Sequence, residues 1–148
     1  MTYPKTKDEI IVITGTSTGI GNATAKELAS RGYFILAGVR RQVEADAIRS
    51  ENIEPIILDI TIETHISSPV KRLKEDPEKR PLRALINNAA IEINAPLEVL
   101  ELSEWRRRFD VNVFGQVAMI QALLPVVFQS RGTIVNISSI GGKAAMAC

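Results

Sequence analysis

Three glycines stand at a spacing that suits anion binding. Gly15, Gly19 and Gly21 follow four β-branched residues, Ile10–Ile13, and precede a stretch with helical periodicity. A strand, a glycine turn and a helix in this order place the unpaired N–H groups of the first helical turn, and the positive end of the helix dipole, at the mouth of the turn. A tight connection between a strand and a helix also needs glycine for its own geometry. The spacing therefore predicts an anion site, with a purely structural turn as the alternative.

Two arginines and an aspartate follow later strand-like runs. Arg40 and Arg41 end the run Tyr33–Val39, and Asp59 ends the run Pro55–Leu58. In a dinucleotide fold, an arginine near this point accommodates the 2′-phosphate of NADP, whereas an acidic residue binds the ribose hydroxyl of NAD. A basic pair at a helix start opposes the helix dipole, which favours a ligand over two solvated loop arginines. The pattern predicts NADP rather than NAD. For Asp59, helix N-capping is the alternative to cofactor binding.

The elements that position these residues alternate between strand and helix. β-Branched runs without polar alternation indicate strands buried on both faces, and strands separated by helices imply right-handed βαβ units. The sequence therefore predicts an α/β fold, a Rossmann-type doubly wound parallel sheet with helices on both faces, as a single domain over residues 1–148. Five strands are expected: Ile10–Ile13, Tyr33–Val39, Pro55–Leu58, Leu82–Asn87 and Gly132–Ser138.

The first two helices and the loop after the second of them have specific predicted features. The first helix is expected to bury a face with Ile20, Ala23 and Leu28, and to end at Gly32, which can take a positive φ. Residues 62–75 are expected to form a helix that is capped and restarted at Ser68-Pro69. The charged residues 75–81 are expected to form a solvated loop.

The last long helix is expected to begin with Ser103 as its N-cap and to end near Gln129. Its apolar stripe would be either core or subunit interface. The three consecutive arginines are expected on a solvated face. The stripe is Trp105, Phe109, Val113, Val117, Ile120 and Leu124, and the arginines are Arg106, Arg107 and Arg108.

Composition excludes several classes of function. The chain has 148 residues, of which 45% are hydrophobic and 24% charged, with a net charge of +1. Such a charge offers no electrostatic basis for a nucleic-acid or anionic-membrane partner. The lone Cys148 and the absence of a signal-peptide pattern indicate a reducing, cytoplasmic setting. The longest apolar stretch, Val117–Phe128, is shorter than the roughly 20 residues of a membrane span. His65 has no co-ligands, so no metal site is expected, and His65 is predicted to be an exposed helix residue.

Four motifs in order resemble those of the short-chain dehydrogenase/reductase family. They are Thr14-Gly15-x-x-x-Gly19-Ile20-Gly21, Asn87-Asn88-Ala89-Ala90, Asp110-Val111-Asn112-Val113, and Ser139 before Gly141-Gly142. The resemblance implies hydride transfer between a nicotinamide and a small-molecule carbonyl or alcohol. Ala90 replaces the family's usual glycine and Arg83 its usual aspartate, so the fit on the nicotinamide side departs from the family pattern.

The resemblance also implies a set of site residues. Ser139 would hydrogen-bond the reacting carbonyl or alcohol, and Asn112 would orient a water for proton relay. Asn112 falls near the buried side of its helix, where an unpaired amide is unfavourable, while Ser139 also suits an ordinary turn. Residues implied in cofactor binding are Gly15, Thr16, Ser17, Thr18, Gly19, Ile20, Gly21, Arg40, Arg41, Asp59, Ile60, Asn87, Asn88, Ala89 and Ala90.

The family's catalytic Tyr-x-x-x-Lys pair has no counterpart here. Tyr3 and Lys7 match by chance in spacing, and Tyr33 has no lysine four residues later. The chain is therefore expected to be the family's N-terminal part, ending after about the fifth strand, and to be inactive alone. The alternatives are a non-catalytic nucleotide-binding or interaction module, or a half-enzyme complemented by another chain.

The resemblance finally implies a homo-oligomer. The helix over residues 103–129 corresponds to the element through which the family commonly dimerises. The fifth strand is also expected to present an open sheet edge, which could pair with another chain.

Overall fold

Five parallel strands form the centre of the computed structural model, which describes residues 8–143. The strands are β1 Ile10–Ile13, β2 Phe34–Val39, β3 Ile53–Ile57, β4 Leu82–Asn87 and β5 Thr133–Asn136. Their order in the sheet is β3-β2-β1-β4-β5, which confirms the predicted Rossmann-type α/β sheet. β3 begins two residues before its predicted start at Pro55 and ends one residue before Leu58. It accommodates Pro55 because it is an edge strand.

Helices cover both faces of the sheet, as predicted. α1 (Gly19–Ser30) and α2 (Gln42–Ile48) pack on the face that carries Ile11 and Ile13. The opposite face carries Ile10 and Val12, and α3 (Glu63–Lys74) and α5 (Gln116–Ser130) pack on it. The remaining elements are α4 Leu102–Phe109, a π-helical segment Asp110–Gly115 and a 3₁₀ turn Ile140–Gly142.

The buried face of α1 differs from the predicted one. Its buried residues are Gly21, Ala25 and Ala29, whereas Ile20 is 64% exposed and Ala23 is also exposed. Small side chains at a spacing of four residues let the helix lie close to the sheet, and a pattern search for large apolar residues misses them. The predicted helix end at Gly32 is confirmed by its φ of +94°.

α3 continues through Pro69, so the predicted cap and restart at Ser68 is wrong. A proline cannot donate the N–H bond that the carbonyl of His65 would receive in a regular helix. The Ser68 hydroxyl donates to that carbonyl instead, at 2.7 Å. This substitute bond explains why the helix tolerates the proline.

The helix from Leu102 to Ser130 does not begin at the predicted N-cap, and most of its predicted apolar stripe is not its buried face. Ser103 lies inside α4 and Glu101 takes the N-cap position without a side-chain hydrogen bond. The π-helical segment changes the helical register between α4 and α5, so residues before and after it no longer share one face. The core alternative for the predicted stripe is therefore wrong for Phe109, Val113 and Val117, which are exposed, and Met119, Leu123 and Val127 are buried instead. The subunit-interface alternative stays a prediction.

Among residues 8–143, one continuous helix is long enough and apolar enough to cross a membrane by length and composition. It runs over Leu102–Ser130 and comprises α4, the π-helical segment and α5. Its most apolar 18-residue window has a mean hydropathy of 1.8, and 22% of that window is buried. Pro125, which lies within the apolar stretch Val117–Phe128, is inside α5 and does not end the helix. The predicted absence of a membrane span is therefore not confirmed.

The loop between α3 and β4 contains a buried ionic cluster rather than the predicted solvated connection. The Asp76 side chain is fully buried, and it accepts hydrogen bonds from Arg72 and Arg80. The guanidinium of Arg80 lies 3.8 Å from the ring centre of Phe34, and Arg72 also pairs with Glu54 at 2.7 Å. The cluster joins β2, β3 and α3 at the end of the sheet where the strands begin.

Candidate functional site

A cleft of about 580 Å³ opens where β1 to β4 end. This volume lies within the range of small-molecule sites, and the carboxyl ends of parallel strands are where α/β sheets bind ligands. The structure brings most of the predicted cofactor-binding residues to this cleft. The residues that line it are Gly15, Ser17, Thr18, Gly19, Ile20, Gly21, Val39, Arg40, Leu58, Asp59, Ile60, Thr61, Asn88, Ala89, Ala90, Ile91, Arg107 and Val111.

The glycine turn between β1 and α1 depends on each of its glycines for a different reason. Gly15 has a φ of +69°, and a Cβ there would lie 2.8 Å from the Cα of Ala89. Gly19 has a φ of +58°, but a Cβ there would meet no atom within 4 Å. At Gly21 a Cβ would lie 2.3 Å from the carbonyl oxygen of Gly15. The turn is thus packed against its neighbours at two glycines and open at the third.

The start of α1 is suited to a bound anion. Thr18 takes the N-cap position and makes no side-chain hydrogen bond to the first turn, which also carries no acidic residue. The N–H groups of that turn and the positive end of the helix dipole therefore face the cleft without a side-chain acceptor. The residues present fit the pyrophosphate of a dinucleotide.

The loop after β4 is fastened to the glycine turn by Thr14 and Asn88. The Thr14 hydroxyl oxygen accepts from the backbone N–H groups of Asn88 at 3.0 Å and Ala89 at 2.9 Å. The amide of Asn88 donates to the carbonyl oxygens of Thr14 at 3.0 Å and Gly15 at 2.9 Å. These four bonds hold two walls of the cleft in a fixed relation. Ala90, the departure from the family pattern, is exposed on the same wall.

The two arginines after β2 are in different environments. Arg40 lines the cleft. Arg41 turns away and pairs with Glu44 at 2.6 Å, and the Glu44 carboxylate also accepts from the backbone N–H groups of both arginines. The hydrogen bond from the Arg41 side chain is the largest of the effects that lower the pKa of Glu44. Glu44 thus offsets the basic pair at the start of α2 and leaves Arg40 available to a ligand.

Asp59 lines the cleft after β3 and is not the N-cap of α3, a position that Ile62 takes. Its Oδ1 accepts from the N–H of Thr61 at 2.9 Å and the Thr61 hydroxyl at 2.6 Å. Burial raises the pKa of Asp59, but the hydrogen bonds from Thr61 outweigh it and the pKa lies below its usual value. The carboxylate is thus charged at neutral pH, and Ile60 lies beside it on the cleft wall.

Three predicted cofactor residues do not line the cleft. Thr16 is buried, and its hydroxyl donates to the carbonyl of Gly38 at 3.0 Å. Asn87 is fully buried and its amide donates to Asn136 at 2.9 Å, while its Oδ1 has no partner among residues 8–143. Arg41, described above, is the third. Thr16 and Asn87 therefore support the cleft from behind it.

The two predicted catalytic residues lie outside the cleft lining. Asn112, in the π-helical segment, accepts from the N–H of Ile91 and donates to its carbonyl, both at 2.9 Å. This pair supplies the partner that a half-buried amide needs, and it fixes the loop at the cleft edge. Ser139 follows β5, is exposed, and its hydroxyl oxygen accepts from the N–H of Gly141 at 3.1 Å. Water orientation by Asn112 and substrate contact by Ser139 stay predictions.

The sequence analysis missed Arg107 and Val111 as residues of the cleft. They stand four residues apart and so lie close together along the helix, but this spacing alone does not indicate that either residue faces the cleft. His65, predicted to be exposed, is half-buried and its Nδ1 accepts from the N–H of Asp59 at 3.2 Å. No cluster of potential metal ligands occurs in the part of the chain that the structure describes. Tyr3, Lys7 and Cys148 lie outside that part.

Comparison with known proteins gives consistent results. The family described as short chain dehydrogenase matches residues 9–148. Dehydrogenase/reductase SDR family member 9 of Bos taurus is 33% identical over 142 residues, which are 93% of this chain and 44% of the bovine protein. The chain thus spans less than half the length of this relative.

Solved structures agree in fold. A short-chain dehydrogenase from Streptomyces avermitilis superposes with a TM-score of 0.83 at 30% identity, covering 94% of this chain and 52% of that one. A gluconate 5-dehydrogenase from Burkholderia cenocepacia, solved with NADP and tartrate, gives a TM-score of 0.80 at 26% identity, covering 93% and 56%. The motifs, the strand order and these matches together show that the chain belongs to the short-chain dehydrogenase family.

Proposed function

We propose that the chain forms the cofactor-binding part of an NADP-dependent oxidoreductase acting on a small-molecule carbonyl or alcohol. The observation that carries the proposal is the meeting of the glycine turn, Arg40 and Asp59 in one cleft. The NADP in the gluconate 5-dehydrogenase structure supports the same class of cofactor. When bound, the nicotinamide would supply or accept the hydride.

Different residues of the chain would bind different parts of the cofactor. The N–H groups at the start of α1 would hold the pyrophosphate, and the Arg40 guanidinium would hold the 2′-phosphate through charge-assisted hydrogen bonds. Asp59 would face the adenine end. Ser139 would donate a hydrogen bond from its hydroxyl to the substrate oxygen, while its own oxygen accepts a hydrogen bond from the N–H of Gly141.

We infer that this 148-residue chain binds NADPH without turnover, which makes a non-catalytic nucleotide-binding module the second candidate function. Tyr33, the one tyrosine among residues 8–143, precedes β2 and packs against the core. The cleft lies at the other end of that strand, so Tyr33 cannot reach it. We expect no change in NADPH absorbance when the purified chain is mixed with assorted aldehydes and ketones. Measurable oxidation of NADPH would contradict the non-catalytic candidate.

Arg40→Ala tests the preference for NADP. Loss of one charge-assisted contact to a phosphate corresponds to about 1.5–3 kcal/mol, so we expect NADPH to bind the variant about ten- to a hundredfold more weakly. NADH, which lacks the 2′-phosphate, should bind the variant as it binds the unaltered chain. The measurement is calorimetric titration with each nucleotide.

Arg41→Ala is the matched control, because the neighbouring arginine bonds Glu44 and does not line the cleft. Its NADPH affinity should change less than about twofold when both variants are measured at the same ionic strength. Equal losses in the two variants would show a general charge effect, and would contradict the specific role of Arg40.

A further inference from the structure

Three consecutive arginines on α4 have three different environments. Arg108 donates to the carbonyl of Ile93 and lies 5.5 Å from the ring centre of Trp105. Arg106 is exposed and does not line the cleft. Arg107 lines the cleft, on the helix face that also carries Val111. Only the middle arginine is therefore placed to meet a bound ligand.

The guanidinium of Arg107 is held only weakly. Its contact with Glu104 is 3.4 Å long, and the two side chains are 59% and 37% exposed. An exposed ion pair of this kind contributes little free energy, so the side chain can exchange this partner for another. Arg108, by comparison, is engaged by a backbone carbonyl and an aromatic ring.

The surroundings of Arg107 suit a flat ring better than a second phosphate. Val111, one turn along the helix, and Ile60, after β3, give this part of the cleft an apolar surface. Arg40 stands after β2 as the cation for the phosphate. A planar guanidinium stacks on a flat ring system and gains a cation–π attraction.

We propose that Arg107 is a second cofactor-binding residue, whose guanidinium covers the adenine ring against the surface formed by Ile60 and Val111. The inference rests on the proposed dinucleotide function. Since adenine is common to NADPH, NADH and ADP, Arg107 should affect all three alike, whereas Arg40 should affect only the nucleotide with the 2′-phosphate.

The test is titration of Arg107→Ala, Arg107→Lys and Arg106→Ala with NADPH, NADH and ADP. We expect Arg107→Ala to weaken the binding of each ligand about three- to tenfold. Arg107→Lys should recover little of this affinity, because lysine keeps the positive charge but lacks the planar guanidinium. Arg106→Ala removes the same charge outside the cleft and should leave all three affinities unchanged. Circular dichroism and thermal melts should be alike for all variants, since these side chains are exposed.

Three results would overturn the inference: no loss in Arg107→Ala, a loss confined to NADPH, or full recovery by lysine. Each of these leaves the proposed function intact if the unaltered chain binds NADPH. Absence of binding by the unaltered chain would instead contradict the proposed function, and the role of Arg107 with it.

Discussion

Gly21→Ala should abolish nucleotide binding. The new Cβ would lie 2.3 Å from the carbonyl oxygen of Gly15 and 2.4 Å from the amide nitrogen of Asn88, so the backbone of the turn must move. Overpacking of this kind costs about 1–3 kcal/mol, and displacement of Asn88 adds the loss of its bonds to Thr14 and Gly15. We expect the free energy of unfolding to fall by about 3 kcal/mol and NADPH titration to show no saturable heat.

Gly19→Ala is the matched control in the same turn. A Cβ at Gly19 meets no atom within 4 Å, so its main effect is the strain of a positive φ, about 1–2 kcal/mol. The variant should fold and should still bind NADPH with reduced affinity. If Gly21→Ala binds NADPH as the unaltered chain does, and unfolds at the same urea concentration, the packing described for the turn is contradicted.

Asp76→Asn should produce the largest loss of stability. The carboxylate accepts four hydrogen bonds: from Arg72 at 3.0 Å, and from Arg80 at 2.6, 2.9 and 3.1 Å. Removing one member of a buried ionic cluster typically costs about 3–5 kcal/mol, because the remaining charges lose their counter-charge. Urea unfolding at pH 7 should show a loss of this size. Glu78→Gln makes the same change in an exposed carboxylate 3.8 Å from Arg80, and should cost less than about 0.5 kcal/mol.

The same cluster should make the protein sensitive to acid. Hydrogen bonds from Arg80 hold the pKa of Asp76 well below its usual value, against the opposing effect of burial. A lowered pKa in the folded state contributes stability above the unfolded pKa, and this contribution is lost as the pH falls. Unfolding free energies measured from about pH 5 downward should therefore decline more steeply in the unaltered chain than in Asp76→Asn. Parallel curves would show that Asp76 is not the group responsible.

The sheet was predictable because its signals are local. Uninterrupted β-branched runs such as Ile10–Ile13 identified buried strands, and their alternation with helices gave the parallel arrangement. The glycine turn and Arg40 were also found, since both stand at strand ends. What the sequence could not give was packing. The buried face of α1 consists of Gly21, Ala25 and Ala29, which carry no large apolar side chain to mark it.

The remaining differences have equally physical causes. The π-helical segment shifts the helical register before α5, so an apolar stripe extrapolated across it does not follow the buried face of α5. Asp76 stands in a charged run that resembles a solvated loop, and its burial depends on arginines at both ends of that run. Arg107 enters the cleft only because of where its helix packs.

The central claim is that the cleft at the strand ends binds a dinucleotide. Its most direct test is an NMR titration of the ¹⁵N-labelled 148-residue chain with NADPH, followed through backbone amide shifts. We expect saturable shifts concentrated in residues 15–21, at Arg40 and in residues 59–61 and 88–91. Absence of saturable shifts, or saturable shifts concentrated in residues of α3 and α5 outside the cleft, would contradict the claim.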